Sequence, residues 1–214
     1  MLSLAGSVQA ASREELDSRI RALTVKFDDM QKDPGSRIPA DVLRKAKGII
    51  LINLTKGGFV FAVQTGGGVA MVRNKSDEWS PVAFIRSNEG SFGFQAGGEQ
   101  SFCVLVLMNT NATAQLAKPT VNFGGVARGT AGDNSSGADG NFDSPNQSVL
   151  VYARRSGLYG GVAFKGGGLS ADRSANEAYY GKPVTLSDIL FDRKVEPTET
   201  ATELAGKISA YFGK

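Results

Sequence analysis

Leu16, Ile20, Leu23, Phe27 and Met30 recur at alternating spacings of four and three, the period of one helix face. Ser12-Arg13-Glu14-Glu15 before them is a capping box, and Asp33-Pro34-Gly35 after them is a stop. The pattern predicts an amphipathic helix of about five turns. Its polar face mixes signs, with Arg13, Asp17, Arg19, Lys26, Asp28 and Lys32 among its members. That mixture favours a helix packed on the domain over one lying in a membrane surface, where Lys and Arg dominate the polar side. Residues 38–47 read as a second, short helix with Pro39 in its first turn and Gly48 at its end.

From residue 49 the period shortens. Apolar runs at 49–54, 59–63, 69–73, 82–86, 91–95 and 102–108 are separated by 56–58, 66–68 and 74–78, which are rich in Gly, Asn, Asp and Ser. These predict short strands joined by tight turns, hence hairpins and an antiparallel meander. A glycine-strand phrase recurs at Gly57-Gly58-Phe59-Val60, Gly67-Gly68-Val69-Ala70, Gly124-Gly125-Val126-Ala127 and Gly160-Gly161-Val162-Ala163. The unbroken run 102–108 predicts a strand buried on both faces. Residues 109–118 read as a short helix or loop, 133–147 as a polar loop, and 149–154 and 161–165 as further strands. Helices are predicted at 172–180, at 186–191 behind Thr185, and after Pro197, where Ala201, Leu204, Ile208 and Phe212 share a face. The fold class that follows is α+β: a glycine-rich, curved antiparallel β-sheet, barrel-like at its limit, flanked by N- and C-terminal amphipathic helices.

Composition narrows the chemistry. With 214 residues, 41% of them hydrophobic, the chain suits one globular body. It divides into residues 1–10, an N-terminal helix at 11–37 and a main domain at 38–214. A net charge of +3 is too small for a dedicated nucleic-acid binder. The chain has no histidine, so catalytic triads and histidine-based metal sites are excluded. Cys103, the single cysteine, lies in an apolar run and reads as a buried hydrophobe. Val8-Gln9-Ala10 resembles the cleavage end of an export signal, the alternative being an ordinary N-terminal tail. Asp139-Gly140-Asn141-Phe142-Asp143 starts like a calcium loop, but Ser144 stands where the turn glycine belongs. No spacing singles out a catalytic carboxylate pair, so no enzyme, cofactor or metal is expected.

In order along the chain stand Ile38-Pro39, Ala46-Lys47-Gly48-Ile49, Lys56-Gly57-Gly58-Phe59, Gly66-Gly67-Gly68-Val69 and Trp79-Ser80-Pro81. Gly90-Ser91-Phe92-Gly93-Phe94-Gln95-Ala96-Gly97, Leu105-Val106-Leu107, Tyr152-Ala153-Arg154-Arg155-Ser156-Gly157-Leu158-Tyr159-Gly160-Gly161 and Asn176 with Tyr179-Tyr180-Gly181 follow. Over residues 38–191 this series resembles the SYLF domain, also called the Ysc84 or Las17-binding actin-regulator domain. The resemblance implies a lipid-binding module, with phosphoinositides as ligands in eukaryotic members and an exported envelope protein in bacterial ones. It departs from many relatives at Arg128-Gly129-Thr130-Ala131-Gly132, where they read Gly-Pro-apolar-Gly.

An anionic headgroup needs cations on a surface. No acid occurs between Asp41 and Asp77, nor between Asp143 and Asp172. The candidate lipid-binding residues are therefore Lys45, Lys47, Lys56, Arg154, Arg155 and Lys165. The expected partner is an anionic phospholipid membrane surface, met peripherally in the periplasm or outside the cell. The alternative is a structural domain that docks a protein partner or a second copy through its terminal helices.

Overall fold

In the computed structural model, residues 11–57, 62–91, 99–121, 127–129, 149–156 and 168–213 are described. The capping box forms as the sequence predicts. The Ser12 amide donates to Glu15 Oε2 at 2.7 Å and the Glu15 amide donates to Ser12 Oγ at 3.2 Å, which starts α1 (Arg13–Lys32). Pro39 stands at the N-cap of α2 (Ala40–Lys45). That helix stops at Ala46 rather than at Gly48, which instead opens β1 (Gly48–Gly57).

The chain continues through β2 (Ala62–Val72), β3 (Ala83–Ser91), β4 (Glu99–Leu107), α3 (Thr110–Ala114) and a 3₁₀ turn at Gln115–Ala117. Then come β5 (Thr120–Val121), β6 (Ala127–Gly129), β7 (Val149–Ser156), β8 (Leu169–Ala171), α4 (Arg173–Tyr180), α5 (Leu186–Leu190) and α6 (Glu199–Ser209). The eight strands form one sheet in the order β5-β8-β3-β2-β1-β4-β7-β6. All pairs are antiparallel except β6 with β7. The fold is α+β in class, and among the described residues the sheet is open, with β5 and β6 at its edges, and does not close into a barrel.

Two expectations are corrected here. Gly66-Gly67-Gly68 is not a turn but lies inside β2, paired with Leu54, Asn53 and Ile52 of β1. The meander runs only through β1, β2 and β3; β4 returns to the free side of β1, which becomes a central strand. The expected features at 133–147 and 161–165 and Lys165 lie outside the described residues, as do Phe59-Val60-Phe61 and most of 91–95.

Helices cover both faces of the sheet. On one face Ile49, Leu51, Val104 and Val106 pack with the buried stripes of α1 and α6 and with Leu43 of α2 and Tyr179 of α4. On the other, Ile50, Ile52, Cys103 and Leu105 pack with Ala112 of α3, Leu116, and Leu186 and Ile189 of α5. Adjacent residues of β1 and β4 thus feed opposite cores, as period-two geometry requires. Each fully buried Leu or Ile contributes about 1.5–3 kcal/mol. The apolar faces of both terminal helices are used inside the chain, since Leu16, Leu23, Leu204 and Ile208 are all buried.

Polar ties join the terminal helices. Tyr179 Oη donates to Asp17 Oδ1 at 2.7 Å and shares hydrogen bonds with Thr198 and Thr200, linking α4, α1 and α6. Farther along, Asp28 accepts from Tyr211 Oη at 2.7 Å and meets Lys32 Nζ at 2.6 Å and Lys207 Nζ at 3.3 Å. Lys32 first, and Tyr211 next, hold the Asp28 carboxyl well below the usual range, while Asp28 pushes the Tyr211 hydroxyl up to about 12. A depressed carboxyl stabilises the fold above its unfolded value of about 3.9 and loses that contribution as pH falls toward its folded value. Asp28→Asn is therefore expected to cost about 1–2 kcal/mol at pH 7 and progressively less below pH 4. Urea midpoints of both chains from pH 7 to pH 3 check this; a constant gap across that range contradicts it.

Candidate functional site

Lys45 ends α2 and Lys47 precedes β1, so the α2–β1 junction fixes both at one end of the sheet. The Lys47 amide donates to the Leu107 carbonyl at 2.7 Å, and the Lys47 carbonyl accepts from the Arg73 amide at 2.8 Å. The backbone is thereby pinned between the ends of β4 and β2, while the Lys45 and Lys47 side chains reach solvent.

Arg73, just past β2, organises this end. Its guanidinium lies 5.5 Å from the Trp79 ring centroid and 5.1 Å from that of Phe212. It donates to the Arg44 carbonyl at 2.8 Å and to the Asp77 carbonyl at 3.3 Å. With only 8% of its side chain exposed, Arg73 positions the surface and is not itself a contact residue. Arg44 donates twice to the Phe212 carbonyl, at 3.0 and 2.6 Å, which seats Phe212 on this end. Two acids stand here: Asp77, 3.4 Å from Arg73 and 3.9 Å from Lys47, and Glu78, which pairs with Arg193 at 3.6 Å. Asp77 sits at φ 61° in a turn held by the Asn74 side chain, which accepts from the Ser76 and Glu78 amides. Arg44, Lys45 and Lys75 are exposed around it.

The other candidate cations lie elsewhere. Lys56 pairs in register with Gln64 and Glu99 near the far end of β1. From Lys47 to Lys56 the strand runs about 30 Å. Arg154 and Arg155 pair with Phe102 and Ser101, also toward that far end. Arg154 is exposed and lies near Asp33. That carboxyl is held below its usual value first by the Gly35 amide, then by the Ser36 hydroxyl, with the Arg154 charge adding to them. The structure therefore brings Lys45 and Lys47 together and separates them from Lys56, Arg154 and Arg155. Arg44 and Arg73 were visible in the same acid-free stretch, but nothing in sequence signals the pairing of Arg73 with Phe212.

Residues 88–211 match a family described as Las17-binding protein actin regulator, Ysc84. This chain belongs to the Ysc84 family. Among its relatives is the yeast LAS seventeen-binding protein 3 of Saccharomyces cerevisiae, 31% identical over 160 residues, which are 73% of this chain and 35% of that protein. Protein YSC84 of the same organism is 32% identical over 165 residues, 75% of this chain and 35% of the relative. SH3 domain-containing YSC84-like protein 1 of Xenopus laevis is 30% identical over 186 residues, 85% of this chain and 55% of the relative. The chain thus spans about a third to a half of the length of these relatives. The family match runs from the end of β3 through α6, so it takes in the Asn176 and Tyr179-Tyr180-Gly181 motif but not the α2–β1 junction. Among the described residues, no helix is long and apolar enough to cross a membrane, and no group of three or more acidic or cysteine side chains is placed to hold a metal ion.

Proposed function

We propose that this Ysc84-family chain is a non-enzymatic module that binds anionic phospholipid surfaces peripherally, through the end of the sheet at the α2–β1 junction. The observation that carries this reading is the grouping of exposed Arg44, Lys45, Lys47 and Lys75 around the partly buried Trp79 and Phe212 rings. Amphipathic rings beside cations suit the headgroup layer. The far end fits less well, because Arg154 lies near Asp33 and Lys56 stands in register with Glu99.

The test is co-sedimentation of the full chain with phosphatidylcholine vesicles containing increasing phosphatidylserine, at low and physiological salt. Binding is expected to rise with anionic fraction and fall with salt. Each cation contributes about 1 kcal/mol, so Lys45→Glu with Lys47→Glu should weaken binding by about thirtyfold or more. Arg154→Glu should leave it nearly unchanged. No sedimentation at any anionic fraction would sink the reading, and sensitivity to Arg154 alone would move the membrane face to the far end.

A second reading, a protein partner, is favoured by the family description and by the name of one yeast relative, LAS seventeen-binding protein 3, both of which describe Las17 binding. Such docking would use the polar faces of α1 and α6, because their apolar faces are already packed on the sheet.

A further inference from the structure

A cleft of about 940 Å³ opens beside β8, between α4, α5 and the 3₁₀ turn. None of the cations discussed above lines it. Its floor is apolar: Leu116 and Leu186 are 0% and 5% exposed members of the second core, and Ala171 and Val184 pack against that core. Its rim carries Arg86, Lys118 and Arg173, all exposed. Among the described residues none of these three cations forms an ion pair.

Two acids also line the cleft, Glu177 and Asp188. Asp188 is engaged elsewhere, since its carboxylate accepts from the Thr185 amide at 2.9 Å and pairs with Lys194. The cations are therefore in the majority over an apolar floor. An inorganic anion would satisfy the rim and leave the floor wet. A neutral apolar molecule would cover the floor and bring no counter-charge to the rim cations. The volume falls in the range of small-molecule pockets, about 300–1,000 Å³, and is too small for a folded partner.

We propose that this cleft holds one small anionic amphiphile per chain. Its oxyanion head would lie among Arg86, Lys118 and Arg173, and its short apolar tail over Leu116, Val184 and Leu186. The site is separate from the α2–β1 junction and does not depend on vesicle binding there.

Calorimetric titration of the full chain with n-octyl phosphate, inorganic phosphate and n-octyl glucoside, each kept monomeric, tests this. Octyl phosphate is expected to saturate at one per chain and to bind at least about tenfold more tightly than either control. Lys118→Glu with Arg173→Glu should weaken it about tenfold or more, and Val184→Ser should weaken octyl phosphate without changing inorganic phosphate. On the unaltered chain, amide shifts on binding should centre on Ser170, Ser174 and Ser187. Octyl phosphate binding no tighter than phosphate would overturn the proposal, as would shifts centred elsewhere. Equal loss in the Lys45→Glu, Lys47→Glu chain would also overturn it. Failed vesicle binding with octyl phosphate retained would remove the membrane reading and leave this one standing.

Discussion

Gly68→Ala is expected to destabilise the chain by more than about 4 kcal/mol, a large part of a typical domain's 5–15 kcal/mol. Gly68 pairs with Ile52 of β1 and Ile85 of β3, in the middle of the sheet. A Cβ there would stand 2.2 Å from the Leu51 carbonyl oxygen and 2.7 Å from Ile52 Cα. Both atoms are backbone, so no rotamer change relieves the clash and the β1–β2 ladder must open. Gly66 is similarly placed, 2.5 Å from the Asn53 carbonyl oxygen. Gly206→Ala is the control, because nothing lies within 4 Å of that position in α6. A helix-interior glycine replaced by alanine should gain about 0.5–1 kcal/mol. In thermal melts the first variant is expected to fall by about 10 °C or more, if it folds at all, and the second to hold or rise. A Gly68→Ala chain melting with the parent would mean that β1 and β2 do not approach this closely.

That glycine run is also where the sequence misleads. Three glycines in a row look like a turn, because local chemistry reports what a backbone can do and not what presses on it. Here the absent side chains make room for a neighbouring strand. Helices were more legible: Ser12 with Glu15 and Thr185 with an acid three residues on both form capping boxes. The run 102–108 was legible because Phe102, Val104 and Val106 feed one core while Cys103, Leu105 and Leu107 feed the other. Strand order was not, since the placement of β4 beside β1 depends on contacts between distant residues. The same limit governs the candidate site. An acid-free stretch marks Lys45, Lys47 and Lys56 as one set, yet an extended strand carries Lys56 to the opposite end of the sheet. The cleft cations Arg86, Lys118 and Arg173 come from separate parts of the chain, and only the fold brings them together.

The Asn176 and Tyr179-Tyr180-Gly181 motif, read at first as a family mark, resolves into packing. Gly181 ends α4 at φ 67°, and the Tyr180 hydroxyl donates to the Val82 carbonyl. Asn176 replaces a missing strand. β8 pairs with β3 only from Ile85 to Ser87, so Phe84 lies beyond its reach. There the Phe84 amide donates to Asn176 Oδ1 at 2.8 Å, and Asn176 Nδ2 donates to the Phe84 carbonyl at 2.9 Å. Asn176 is 1% exposed and Phe84 fully buried, so water does not substitute. In Asn176→Ala the Phe84 carbonyl keeps the Asp172 amide at 3.0 Å, but the Phe84 amide is orphaned beside a new cavity. The expected cost is about 3 kcal/mol, read as a fall in the urea midpoint with no change in slope. Asn176→Asp separates hydrogen bonding from packing. It retains the acceptor for Phe84 N–H but sets a carboxylate against the Phe84 carbonyl in a buried place, which favours the protonated form. Its folded-state value is therefore raised, and its deficit relative to the parent chain should be larger at pH 7 than at pH 4. The Asn176→Ala deficit should stay level across that window. If the Asp variant matched the parent at pH 7, the donor half of the Asn176 bridge would carry no weight, and this part of β3 would be held by the Phe84 N–H bond and by packing.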